Sequence, residues 1–193
     1  MEEGSRVSEH HQFIFPRYRH VQAPDWKGLE QRLLSEGLLE PAVAQALDET
    51  GDREGCLWAS PLYRPSHGLF RLLEVEPDEE QRLLLFEFAR GSPFVCIGEN
   101  FAGPCLPGQR ESDEEYDEPL MEFISDAIDL PSTTWCGPDG AQYYLMELDF
   151  DFSFGVGEQV LRTDRLDRAQ TERLAALIGE LCGQPMSCAH RHR

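Results

Sequence analysis

Residues 132–154 have the sequence STTWCGPDGAQYYLMELDFDFSF and carry the clearest local signal of the fold. Two strand-like runs, 132–136 and 141–154, flank the tetrapeptide Gly-Pro-Asp-Gly at 137–140. Proline presets a turn and glycine accepts a positive φ angle, so this spacing is typical of a β-hairpin. The stretch therefore predicts two antiparallel strands.

The second of these strands ends in strictly alternating acidic and apolar side chains. Because successive side chains of a strand point to opposite faces, one face receives the carboxylates of Glu147, Asp149 and Asp151. The other face receives leucine and phenylalanine, which predicts core. The carboxylate face has two interpretations: the solvated side of a half-exposed strand, or ligands for Mg²⁺ or Ca²⁺ where further oxygen atoms converge on it.

A second acidic cluster precedes the hairpin, in the window 111–118. Around Tyr116 it contains six carboxylates, those of Glu111, Asp113, Glu114, Glu115, Asp117 and Glu118. One interpretation is a solvated loop whose last acids face the N-terminus of a helix that begins at Pro119. The other is a docking surface for a basic protein, with Tyr116 as an amphipathic anchor.

Helical periodicity appears before and after this region. A first helix is predicted from the N-cap Asp25 to Gly37, and a second from Pro41 to the residue before Gly51. A middle helix follows Pro119. A last helix is predicted after Asp167, because Asp167 and Gln170 have the spacing of a capping box and Gly183 ends the apolar pattern.

Short apolar or alternating runs at 56–63, 69–75, 82–89 and 94–97 predict further strands. The chain is therefore predicted to be an α+β protein: a mostly antiparallel sheet with an N-terminal helical pair, a middle helix and a C-terminal helix. The predicted boundaries are an extended N-terminal arm at 1–24, a single domain at 25–183 and a C-terminal tail at 184–193.

The composition narrows the classes of partner. The chain has 193 residues, of which 40% are apolar, and 17 basic residues stand against 36 acidic ones. The net charge of -19 leaves no phosphate-neutralising surface, which excludes nucleic acid as the expected partner. The excess of acidic over basic residues is concentrated in residues 101–161, which hold 14 acidic residues and one basic residue, Arg110.

The chain begins with an acidic stretch and contains no apolar run of membrane length, so a cytoplasmic protein without a membrane partner is expected. Its six cysteines show no paired spacing and are expected to be reduced thiols.

Several chemical motifs are incomplete. Cys182, Cys188, His190 and His192 have metal-ligating side chains, but their spacing fits no usual structural zinc site. The expectation there is packing or a loose tail, and the alternative is a metal-scavenging tail joined by His10 and His11. Residues 155–157, Gly-Val-Gly, lack the third small residue of a dinucleotide fingerprint. No cofactor and no catalytic residue are predicted.

The leading functional hypothesis is an acidic binding protein that recognises and neutralises a basic protein partner, such as a toxin, in the manner of an antitoxin or toxin-immunity protein. The two acidic clusters are the predicted partner-binding residues. The alternative is a divalent-cation-binding domain or metal-assisted hydrolase that uses Glu147, Asp149 and Asp151 with acids of the 111–118 loop. A structural subunit of a larger assembly is a third hypothesis.

Overall fold

The largest sheet in the computed structural model has five strands, each antiparallel to its neighbours, in the order β11-β1-β10-β5-β3. The structure describes residues 10–40, 54–98, 101, 103–109 and 117–192. In chain order the strands are β1 (His10–Pro16), β2 (Leu39–Glu40), β3 (Cys56–Ala59), β4 (Arg64–Pro65), β5 (Leu83–Phe88), β6 (Phe94–Ile97), β7 (Thr134–Cys136), β8 (Gln142–Tyr144), β9 (Phe154–Gly157), β10 (Gln159–Asp164) and β11 (Met186–His192). The helices are α1 (Trp26–Ser35), α2 (His67–Leu73), α3 (Asp117–Asp129) and α4 (Arg168–Cys182).

The five-stranded sheet is buried on both faces. On one face Ile14, Leu85 and Leu161 share a core with residues of α1 and α4, among them Trp26 and Ile178. Phenylalanines of β1 and β5 on the other face share a core with Cys96 of β6. A third apolar cluster joins α3 to β9 and to a 3-10 helix at Leu145–Glu147. Mixed helices and antiparallel sheets make this an α+β fold, as predicted.

The elements with strong local signals form where the sequence predicts them. Asp25 caps α1 by accepting a hydrogen bond from the Gly28 amide, and Asp167 and Gln170 form the expected capping box of α4. The hairpin of β7 and β8 closes through the predicted turn, where the Gly137 amide donates to the Ala141 carbonyl at 2.8 Å. The second predicted helix, 41–50, lies outside the described residues.

The predicted strand 69–75 is wrong, because most of this segment belongs to α2. The Ser66 side chain accepts hydrogen bonds from the amides of Gly68 and Leu69, which starts a helical turn. Leu69, Phe70 and Leu73 are buried on one side of that helix. Glu74 then ends it in the left-handed conformation, with φ 56°.

The single long strand predicted over 141–154 is also wrong. Strand β8 ends at Tyr144, the 3-10 helix follows, and β9 begins only at Phe154. Glu147 causes the first break, because its Oε2 accepts a hydrogen bond from the Tyr144 amide at 2.8 Å. A tight turn at 150–153 causes the second.

Residues 10–16 of the predicted arm and 186–192 of the predicted tail form two adjacent strands of the main sheet, β1 and β11. Strand β1 lies between β10 and β11, and β11 pairs with it over all seven residues from His10 to Pro16. The cause is tertiary: main-chain pairing and burial of Met186 and Ala189 order a segment whose own sequence shows no strand pattern.

The glycines of the Gly-Val-Gly motif have a packing role. A Cβ atom at Gly155 would lie 2.2 Å from a ring carbon of Phe15, and one at Gly157 would lie 2.9 Å from the same ring. Glycine is therefore required where the phenylalanine of β1 crosses β9.

None of the helices in the described ranges is both long and apolar enough to cross a bilayer.

Candidate functional site

The predicted acidic cluster at 111–118 falls mainly outside the described residues. This applies to Glu111, Asp113, Glu114, Glu115 and Tyr116. Asp117 and Glu118 form the first turn of α3.

The three carboxylates predicted on one strand face, those of Glu147, Asp149 and Asp151, do not share a strand face. Glu147 accepts a hydrogen bond from the Tyr18 hydroxyl at 2.8 Å, and this bond raises the pKa of Tyr18 above its usual value. The Asp149 Oδ1 accepts a hydrogen bond from the main-chain amide of Asp151 at 2.8 Å. Asp151 pairs instead with the guanidinium of Arg168. Each carboxylate therefore has its own partner, and within the described ranges no three acidic, cysteine or histidine side chains group to hold a metal ion.

A cleft of about 950 Å³ lies where the segment 146–154 faces α4 and the start of β11. The segment 146–154 reaches this position because the 3-10 helix and the 150–153 turn redirect the chain between β8 and β9. Gly179 keeps α4 close to β11, since a Cβ atom there would lie 3.0 Å from the Gln184 carbonyl oxygen. The cleft is thus lined by parts of the chain that are distant in sequence, from Arg17 to Cys188.

The interior and the edge of this cleft differ in chemistry. Its buried lining residues are apolar or small: Met146, Leu148, Phe150, Phe154, Ala175, Gly179 and Met186. Its charged lining residues are four acids and two bases: Glu147, Asp149, Glu172, Glu180, Arg17 and Arg168. Asp149, Glu172 and Glu180 are exposed, so their carboxylates are accessible to a ligand.

Arg168 lies in a subsite of its own at this edge. Its guanidinium carbon lies 5.1 Å from the ring centroid of Phe152, within the range of a cation–π contact. Its Nε donates to Glu172 at 3.2 Å, and another of its nitrogens pairs with Asp151. We call Asp151, Phe152 and Glu172 the guanidinium subsite.

The turn that presents Asp151 and Phe152 has an unfavourable backbone. Both residues have positive φ angles, 46° and 68°, and the Ser153 amide closes the turn onto the Phe150 carbonyl at 2.9 Å. Positive φ at both central residues normally selects asparagine and glycine. A phenylalanine in the left-handed region is strained, and such strain is concentrated at functional positions.

The C-terminal cysteines, Cys182 and Cys188, are partly buried thiols. Burial raises the pKa of Cys182 to about 11 and that of Cys188 to about 12. The ring of His190 stacks on His10, with centroids 5.3 Å apart.

Sequence reasoning identified two residues of the cleft edge, Glu147 and Asp149, and one of the guanidinium subsite, Asp151. It missed Phe152 as a contact residue because the strand pattern assigned it to the core. It also missed Arg168, Glu172 and Glu180 on α4. One available signal was Arg168 itself, since a cation in the first turn of a helix is disfavoured by the helix dipole.

Comparison with known proteins gives no relative for this chain: no protein-family model matches it, and neither a curated protein nor a solved structure is significantly similar to it.

Proposed function

We propose that this chain is a binding protein whose cleft between α4 and residues 146–154 takes a basic segment of another protein. The observation that supports this most directly is the cleft itself, which combines a buried apolar interior with exposed carboxylates at its edge. Apolar contacts supply affinity, and the acidic edge attracts and orients a cationic partner.

The charge of the whole chain supports the same partner. A net charge of -19 attracts cations at a distance and repels acidic proteins and nucleic acids. The carboxylates of the cleft edge also repel one another, and a basic partner relieves that repulsion.

A defined probe tests this binding. The probe is a fluorescent twelve-residue peptide of alternating arginine and serine, and anisotropy is measured at low salt. We expect Asp149→Asn with Glu180→Gln to weaken binding about two- to thirtyfold, because each of the two exposed charges contributes about 0.2–1 kcal/mol.

The matched control is Glu76→Gln with Glu79→Gln, which removes the same charge from exposed positions that do not line the cleft. We expect the control to bind as the wild type does. Equal weakening by both double variants would show attraction by net charge alone and would refute the cleft as the site.

We further propose that binding neutralises the partner, as an antitoxin or a toxin-immunity protein does. A photo-crosslinking residue at Ala176, which is exposed in the cleft, identifies the partner in the cells that make the chain. Co-expression then measures neutralisation. We expect the wild-type chain to suppress the partner's activity and the Asp149→Asn, Glu180→Gln variant to suppress it less. A crosslinked protein that is acidic, or whose activity the chain leaves unchanged, would refute the proposal.

A further inference from the structure

The guanidinium subsite already holds an arginine from the same chain. The Arg168 guanidinium lies over the ring of Phe152, while Asp151 and Glu172 pair with its nitrogens. An aromatic ring beside two carboxylates suits a planar, forked cation, which presents several N–H donors in a fixed geometry, better than it suits a compact ammonium group.

Two features of the subsite are costly for the free protein. Arg168 is a cation in the first turn of α4, where the helix dipole disfavours it, and that turn itself contains no acidic residue. Asp151 and Phe152 have left-handed backbones that a glycine-containing turn would adopt with less strain. Neither the helix dipole nor the backbone preference of the turn therefore favours these residues at these positions.

The contacts of Arg168 are also easily exchanged. The Asp151 side chain is 86% exposed and that of Arg168 is 52% exposed, so water reaches the pair and its net contribution to stability is small. An incoming arginine can replace Arg168 without uncovering a buried charge.

We propose that the guanidinium subsite binds an arginine of the basic partner, and that Arg168 occupies the subsite in the free protein as an internal competitor. The inference rests on the proposed function and adds the side chain that the cleft selects: arginine in preference to lysine. It also assigns Arg168 a role in setting affinity.

Removal of the competitor is the first test. With the arginine–serine peptide as probe, we expect Arg168→Gln to bind about two- to fivefold more tightly than the wild type, the range of an exposed cation–π contact. The control is Arg173→Gln, which makes the same charge change on an exposed residue of α4 outside the cleft. A matched lysine–serine peptide should bind more weakly and gain less from Arg168→Gln.

The turn supplies the second test. The double variant Asp151→Asn, Phe152→Gly has the asparagine–glycine pair that suits two positive φ angles. We expect its unfolding midpoint in urea to equal or exceed that of the wild type, while its affinity for the arginine peptide falls. Lower affinity with undiminished stability separates loss of the subsite from loss of the fold.

The possible failures are distinguishable. If the wild type binds the arginine peptide but Arg168→Gln and Arg173→Gln have equal effects, the competitor role is wrong and the proposed function stands. Equal affinity for the arginine and lysine peptides refutes the selectivity. If no variant binds either peptide, the proposed function and the subsite both fail. Self-association of Arg168→Gln without peptide binding would identify a second copy of the chain as the occupant and overturn the inference.

Discussion

Arg19 connects three elements that are distant in sequence. Its side chain is 4% exposed and forms two hydrogen bonds with the Glu158 carboxylate, at 2.7 and 3.0 Å. It also donates to the carbonyl oxygens of Ala127 and Ile128 near the end of α3, at 3.1 and 2.9 Å. The segment after β1, the β9–β10 junction and α3 are thus joined through one guanidinium.

We expect Arg19→Met to lower the free energy of unfolding by about 3–5 kcal/mol, because it leaves the Glu158 charge buried without its partner. Urea denaturation measures this loss. Arg19→Met combined with Glu158→Leu removes both charges and should recover part of it. A loss below about 1 kcal/mol for Arg19→Met would contradict the assignment of a buried ion pair.

Cys188 gives a prediction about pH. Burial, followed by the nearby Glu172 carboxylate, raises the pKa of this thiol from 9.0 to about 12 in the folded protein. A raised pKa contributes stability that is fully present below pH 9 and is lost as pH rises toward 12. We expect the free energy of unfolding to fall over this window, and to fall less steeply in Cys188→Ala. Identical slopes for the two proteins would refute this coupling.

At the scale of elements, local signals were sufficient where a cap or turn determines the boundary. The Asp167 and Gln170 pair located the start of α4, and the tetrapeptide 137–140 located the hairpin. Local signals failed where tertiary contacts determine whether a strand forms. Strand β11 forms because β1 offers it a complete row of main-chain partners, which the sequence of 186–192 does not reveal.

The candidate site shows the same division. Alternation over 147–154 correctly predicted that Phe150 and Phe154 are buried. It wrongly predicted a continuous strand, because the side chains of Glu147 and Asp149 accept hydrogen bonds from nearby main-chain amides and interrupt it. The other wall of the cleft comes from α4. No pattern within one segment indicates that 146–154 and α4 lie side by side. The contact between Arg168 and Phe152 could therefore not be predicted from the sequence.

Strand β11 carries a prediction at this scale. We expect Ala189→Asp to prevent stable folding, because Ala189 is fully buried and an aspartate there would bury an unpaired charge. Circular dichroism and urea denaturation measure the effect. Ala176→Asp, at an exposed position of α4, is the control and should fold normally. Normal folding of Ala189→Asp would contradict the placement of β11 in the main sheet.

At the scale of the whole molecule, the net negative charge disfavours folding but favours binding of a basic partner. A net charge of -19 opposes compaction by self-repulsion, while the same charge attracts a basic partner. Salt screens both effects, since the Debye length falls from about 30 Å at 0.01 M to about 3 Å at 1 M. Stability and affinity should therefore respond to salt in opposite directions.

We expect sodium chloride to raise the unfolding midpoint of the free chain over this range, by about 2–4 °C for each kcal/mol of repulsion that is screened. Affinity for the arginine–serine peptide should fall over the same range. Differential scanning fluorimetry and anisotropy measure the two responses on one sample. A midpoint that falls with salt would show that attractive pairs such as Arg19 with Glu158 outweigh the repulsion. Affinity that does not change with salt would show that the carboxylates of the cleft edge do not recognise the peptide.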